Sequence, residues 1–176
     1  MKPENTHEFS DLEVKQRKTV IDGVGADAEI VTNDLGGKQS KTPAALHLID
    51  PKFFEAILGD FPESYPLNRI CQFMQTNEKR FILQAIEDMN DDAEELNPLL
   101  VIGKVLQYGA DRYEPNNWRL IPQESHINHA LIHYVAYLMG DTQDDHIDHC
   151  MCRLMMAYAT EVSEGFSYTE YVKKSS

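Results

Sequence analysis

Apolar runs are short throughout this chain: Leu99-Leu100-Val101-Ile102 is among the longest, and the start Met1-Lys2-Pro3-Glu4-Asn5 is polar. Neither a membrane span nor a signal peptide is legible, so no membrane partner and a cytoplasmic address are expected. Cysteine is sparse. Cys71, Cys150 and Cys152 are odd in number and lack CxxC spacing, and residues two apart on a helix point away from one another. A disulfide framework and a cysteine zinc knuckle are therefore not expected. Basic residues are also few, sixteen Lys and Arg against twenty-nine Asp and Glu, for a net charge of −13. That balance argues against a nucleic acid polymer as partner, because backbone phosphate contacts need a basic surface. A phosphorylated small molecule is still compatible with it, bound through a few local cations or a bridging metal.

What remains is 176 residues with 42% hydrophobic content, enough for one core on the usual domain scale of roughly 100–150 residues. There is no internal repeat and no alternation of strand and helix signals. Residues 1–35 read as an irregular N-terminal arm with room for a short strand, since Thr19-Val20-Ile21 and Ile30-Val31 are too brief to hold a core. Residues 36–162 read as one helical domain, and 163–176 as a C-terminal tail. Within the domain, Pro51 starts a helix with Gly59 as its stop, and Phe61–Pro66 reads as a loop. Leu67–Met89 carries apolar residues at helical spacing, and Asn90–Glu95 is a charged turn. A helix from about Pro98 is expected to bury Leu99, Ile102, Val105 and Leu106 before Gly109. Helices over about 123–139 and 143–162 follow, with Gly140 at a C-terminal stop and Thr142 to Asp145 fitting a capping box. The expected class is all-α, with the last two helices antiparallel neighbours.

The chemistry concentrates between Gly109 and Arg153. Placed at about 100° per residue, His126, His129 and His133 share one stripe of the first of these helices, opposite Ile127, Leu131 and Tyr134. On the second, Asp145, Asp148, His149 and Cys152 share an arc, with His146 and Arg153 beside it. Carboxylates three residues apart on a helix have Cβ atoms roughly 5–6 Å apart, close enough to share a cation. Capping and a favourable charge in a first turn account for the same two aspartates equally well. Magnesium suits their oxygen ligands, whereas imidazoles suit manganese, nickel or zinc. Gly36-Gly37-Lys38 offers backbone N–H groups and a cation for phosphate but lacks the Walker pattern. Tyr108–Tyr113 followed by Asn116-Asn117-Trp118-Arg119 gathers rings, amides and arginines that suit a nucleobase, or a well-capped turn.

These residues resemble a known family. Gly36-Gly37-Lys38-Gln39-Ser40, the Tyr-Gly-Ala-x-x-Tyr of Tyr108–Tyr113, Asn116-Asn117-Trp118, His126-Ile127-Asn128-His129-Ala130-Leu131 with His133, Gly140-Asp141, and Asp144-Asp145-His146 with His149 and Arg153 look like the phage and bacterial dATP/dGTP diphosphohydrolase domains, related to the MazG-like all-α pyrophosphohydrolases. The resemblance covers about 36–51 and 98–158, and makes 58–96 an insertion. It implies a helical bundle of the MazG-like type and a homo-oligomeric enzyme dependent on Mg2+ or Mn2+. The implied reaction cleaves a purine deoxynucleoside triphosphate between its α- and β-phosphates. MazG-like enzymes carry Glu-Glu-x-x-Glu on one helix and Glu-x-x-Asp on the next. Asp145-x-x-Asp148 is similar to the second motif, and His129-Ala130-Leu131-Ile132-His133 stands in place of the first.

The expected function is thus metal-assisted phosphoanhydride hydrolysis. Asp145, Asp148 and His133 would be catalytic, and Asp145, Asp148, His129 and His149 would hold metal. Lys38 and Arg153 would neutralise phosphate, with Tyr113, Asn117, Trp118 and His126 completing the ligand contacts. The rival expectation is a nucleotide-binding protein without turnover, such as a phage sponge for a signalling nucleotide. A purely structural helical oligomer is a third.

Overall fold

The computed structural model describes residues 28–58, 64–90 and 97–172. The expectations for most of the arm, for Gly59 and the first half of the following loop, for most of the charged turn after Met89, and for the last four residues fall outside them, while Tyr65 and Pro66, expected in the loop, begin a helix. The architecture is all-α with one small hairpin. Strands β1 (Ile30–Thr32) and β2 (Lys38–Ser40) pair antiparallel with Thr32 opposite Lys38. After a 3-10 turn at Leu46–Leu48 come α1 (Pro51–Leu58), α2 (Tyr65–Thr76), α3 (Arg80–Met89) and α4 (Pro98–Arg112). A second 3-10 turn, Asn117–Leu120, leads to α5 (Gln123–Leu138) and α6 (His146–Ala159).

α5 and α6 run antiparallel. His133 meets His146, the Cys150 thiol donates to the Ala130 carbonyl at 3.3 Å, and Gln123 Nε2 donates to the Ala157 and Thr160 carbonyls at 3.1 and 2.9 Å. The Gln123 side chain thereby satisfies carbonyls that the end of α6 would otherwise leave open. Gly140 takes φ 80 at the end of α5, a conformation that favours glycine. The capping box expected from Thr142 does not form: Asp145 is the N-cap of α6, and no side chain makes a cap hydrogen bond there.

Two expectations for the earlier helices need correction. The periodic stretch Leu67–Met89 is broken in two, because Asn77 adopts a left-handed φ of 59 and ends α2. α4 continues through Gly109 to Arg112, starting at an Asn97 cap whose side chain accepts from the Leu99 N–H at 2.9 Å. Its buried stripe is Val101 and Ile102, whereas Leu99 is 77% exposed.

The core joins both halves of the chain. Leu67, Ile70 and Phe73 of α2 and Ile82 and Ala85 of α3 are fully buried, in one cluster with Ile127 and Leu131 of α5 and Leu154 of α6. The α2–α3 hairpin, expected as an insertion, supplies this core. The described part of the tail is docked on it: Tyr168 Oη donates to Gln123 Oε1 at 3.1 Å, and its ring meets Phe73 edge-on. Among the described residues, no helix is long and apolar enough to cross a membrane.

Candidate functional site

α4, α5, α6 and the β-hairpin enclose a cavity of about 750 Å³, within the roughly 300–1,000 Å³ usual for small-molecule sites. Two side-chain amides hold its irregular walls. Asn128 on α5 clamps the segment after β2: its Oδ1 accepts from the Leu46 N–H at 2.7 Å, and its Nδ2 donates to the Ala44 carbonyl at 2.9 Å. Asn117 does the same for β2, accepting from the Lys38 N–H at 2.8 Å and donating to the Lys38 carbonyl at 2.6 Å. A third contact, Asn33 Nδ2 to the Leu120 carbonyl at 2.7 Å, ties the hairpin turn to the same 3-10 turn.

The structure brings Lys38, Tyr113, Asn117, Trp118, His129, His133, Asp145, Asp148, His149 and Arg153 to this cavity. His126, expected to touch the ligand, is fully buried and stands behind Arg153 instead. Its Nε2 donates to the Trp118 carbonyl at 3.0 Å, so its Nδ1 accepts from Arg153 Nη1 at 3.1 Å. Burial, together with the Arg153 charge, pushes the His126 pKa down to about 3, which keeps it neutral and able to accept. Arg153 also donates to Gln39 Oε1 at 3.3 Å. Burial lowers its pKa to about 10, leaving it charged at neutral pH. Gly37 permits the hairpin's close approach, since a Cβ there would sit 2.9 Å from the Leu120 carbonyl oxygen.

The histidines of α5 are neutral for the same physical reason. Burial, then Arg153 and the neighbouring imidazoles, lower His129. Burial, then His149, Arg153 and His146, lower His133. Three ligand atoms, one each from His133, Asp144 and His149, lie within 4.8 Å of one another. His149 Nε2 is 3.2 Å from Asp144 Oδ1, and the rings of His133 and His149 stack at 5.2 Å. Of the four residues expected to hold metal, His149 belongs to this trio, while Asp145, Asp148 and His129 line the same cavity. Burial, reinforced by Asp145, raises the Asp148 pKa. Burial works to raise Asp144 too, but the hydrogen bond and charge of His149 outweigh it and hold that carboxyl below its usual value. Two imidazoles and a carboxylate form a donor set that fits a divalent transition ion better than magnesium, which prefers oxygen alone.

Behind the trio lies a buried chain of polar groups. His133 Nδ1 is 3.0 Å from His146 Nδ1, and His146 Nε2 is 3.0 Å from Asp141 Oδ1. Asp144, Asp141 and Gln39 were not among the expected site residues. Asp144 and Asp141 sit in the irregular link between α5 and α6, where helical periodicity assigns no facing. Their signal was their place among the chemistry-bearing residues Gly140-Asp141 and Asp144-Asp145-His146.

Residues 81–167 match the family described as dATP/dGTP diphosphohydrolase, N-terminal. The match runs from α3 into the tail and takes in every α5 and α6 residue of the cavity. No curated protein and no solved structure matches the chain.

Proposed function

From that family match and this cavity, we propose that the chain is a divalent-cation-dependent pyrophosphohydrolase. It converts a (deoxy)purine nucleoside triphosphate to the monophosphate and pyrophosphate. One observation carries the reading: a half-buried arginine, Lys38, an imidazole–carboxylate trio and two further aspartates converge on one cavity that also presents the rings of Tyr113 and Trp118.

His133, Asp144 and His149 would hold the cation, Mn2+ in preference to Mg2+ on donor chemistry. A divalent cation supplies charge neutralisation and Lewis-acid polarisation to a phosphoanhydride. The chain's own residues do the rest. Arg153, braced by His126 and Gln39, and Lys38 receive phosphate oxygens. Tyr113 and Trp118 take the base or sugar, while Asn117 holds the wall beneath them. Hydrolysis leaves the water oxygen on one phosphorus, and Asp148 accepts its proton as the anhydride bond breaks. Burial and the Asp145 charge raise its carboxyl, which suits it to take up a proton. His129, neutral on the same wall, completes the lining. The exposed neighbours Leu99 and Leu100 support the expected homo-oligomer, which light scattering tests directly.

The second reading, a binding protein without turnover, is favoured by one observation. The cavity face of α5 carries His129 and His133 where the resemblance to MazG-like enzymes calls for glutamates. Incubating the chain with a nucleotide panel in Mn2+ and in Mg2+, with pyrophosphate and phosphate followed separately, tests the proposal. Pyrophosphate release from a purine triphosphate supports hydrolysis, and recovery of every nucleotide intact refutes it.

A further inference from the structure

The cavity has two chemically different ends, laid out along α4 and α6, which pack against each other. At one end, the trio residues Asp144 and His149 and the neighbouring Asp145 and Asp148 gather at the start of α6. Lys104 of α4 lines this end: burial and Asp145 raise the Asp148 carboxyl, while the charges of His149 and Lys104 act against them. At the other end stands Arg153. Burial lowers its pKa, and Cys152 and Tyr113 act to raise it, so Tyr113, just past α4, lies near Arg153. Trp118 belongs to the same end, because His126 bridges its carbonyl to Arg153.

The lysines and arginines of the lining are Lys38, Lys104, Arg112 and Arg153. Three of them belong to the ring-bearing end. Arg112 lies 5.7 Å from the centroid of the Tyr113 ring, Arg153 reaches His126, and the Lys38 backbone is held on both sides by Asn117. Lys104 lies just over two turns before Arg112, about 12 Å along the helix axis, and is the cation that shares its end with the three aspartates. Its side chain is exposed, and among the described residues its ammonium makes no ion pair. An exposed helical lysine is ordinarily a solvated charge. This one borders a cavity with three carboxylates and is bound to none of them, so its donors are available to a ligand.

We propose that Lys104 is a specificity-determining residue that binds the phosphates beyond the first, so that the cavity takes a nucleoside triphosphate in preference to the monophosphate of the same nucleoside; this role rests on the nucleotide reading above. With the base or sugar at Tyr113 and Trp118 and the phosphate nearest the sugar at Arg153, the rest of the phosphate chain runs towards the aspartate end. That end repels phosphate oxygens unless positive charge is supplied there, and Lys104 is the side chain that supplies it. An ammonium with three donors on a flexible stem suits phosphate oxygens as a mobile point charge. A monophosphate ends at Arg153 and is indifferent to Lys104.

The test uses the full chain and calorimetry at one fixed Mn2+ concentration. Its probes are a purine deoxynucleoside triphosphate with a methylene between the α- and β-phosphorus atoms, which cannot be hydrolysed there, the matching monophosphate, and inorganic pyrophosphate. Wild type should bind the triphosphate more tightly than the monophosphate by about tenfold or more. Lys104→Gln should weaken the triphosphate and pyrophosphate by about tenfold, the scale of one charge-assisted hydrogen bond, and leave the monophosphate within about twofold. Lys104→Arg, which keeps the charge, should recover most of the loss. A wild type without the preference, or a Lys104→Gln variant that keeps it unchanged, overturns the proposal. If Lys104 merely offsets Asp148, Lys104→Gln tightens Mn2+ in the absence of nucleotide and leaves the preference intact, which also overturns it. A wild type that binds none of the three probes overturns the nucleotide reading itself, whereas tight nucleotide binding with an unchanged preference in Lys104→Gln removes only the role of Lys104.

Discussion

Arg153 on α6 donates to the Nδ1 of His126 on α5 across 3.1 Å, and His126 is anchored in turn by its Nε2–H to the Trp118 carbonyl. A cation at the cavity and the turn carrying an aromatic wall are thus locked together through one neutral imidazole. Arg153→Lys is expected to weaken nucleotide binding at least tenfold, because the ammonium cannot keep the fixed fork that contacts His126, Gln39 and a phosphate together. Mn2+ affinity should stay within a few-fold, since the cation trio is separate. Calorimetric titrations of each ligand check both halves.

His126→Leu removes the acceptor for Arg153 and leaves the Trp118 carbonyl without its donor. An unpaired buried polar group costs about 1–3 kcal/mol, so urea unfolding should show a loss of that size. Nucleotide affinity should fall with it as Arg153 loses its brace. A variant as stable and as tight-binding as wild type would show that His126 only fills space.

Stability should fall in acid. His126, His129 and His133 all have native pKa values below 6.5, so between that value and the native one the unfolded chain binds protons that the folded chain refuses. Folding is then opposed increasingly as pH drops, by about 1.4 kcal/mol per pH unit for each histidine fully in that regime. The depressed Asp141 and Asp144 act in the same direction at lower pH, since stability gained by ionising them in the fold is lost as they protonate. Raised Asp148 opposes this weakly. Denaturant midpoints measured from pH 7.5 down to 4.5 should decline, with the steepest change beginning below about pH 6.5.

Much of this was legible from periodicity. The helical class, the antiparallel last pair, the stop at Gly140 and the histidine stripe follow from 3.6-residue spacing and a glycine where a left-handed residue is needed. The arc shared by Asp145, Asp148, His149 and Cys152 also holds, because all four lie on or at the start of one regular helix. Where the backbone leaves regular geometry, spacing stopped being informative. Asn77 breaks a continuous apolar pattern because its short polar side chain tolerates φ 59. Asp144 reaches His149 from a link whose course depends on the docked helices. His126 lies on the predicted stripe, yet its depth beneath Arg153 depends on the 3-10 turn above it. Leu99 matched the helical pattern and ended exposed because the packed stripe of α4 is set by Val101 and Ile102.

Gly37→Ala tests whether the hairpin belongs to the site. The added Cβ would lie 2.9 Å from the Leu120 carbonyl oxygen and 3.0 Å from Asn33 Nδ2, both fixed by their mutual hydrogen bond. Relief requires the hairpin to lift from the 3-10 turn, at a cost of about 1–3 kcal/mol. Because Lys38 and Gln39 travel with it, nucleotide affinity should fall several-fold while Mn2+ affinity is unchanged. Equal loss of both would indicate a general unfolding instead.

Asp144→Asn separates a hydrolase from a binding protein most sharply. The substitution keeps shape but removes the charge that a divalent cation requires beside two neutral imidazoles. If the cation serves chemistry, kcat for pyrophosphate release in Mn2+ should fall at least 100-fold, more than nucleotide affinity does, because interactions strengthened in the transition state act on rate beyond ground-state binding. Asp148→Asn should also lower kcat but spare Mn2+ affinity, since Asp148 lies outside the trio and is argued to accept a proton. A protein that only sequesters nucleotide would answer differently. Both variants would retain or lose ligand without any turnover to lose, and wild type would return the bound nucleotide unmodified after denaturation. Chromatography of the ligand recovered from wild type in Mn2+ decides between them: monophosphate and pyrophosphate support the hydrolase, and intact triphosphate rejects it.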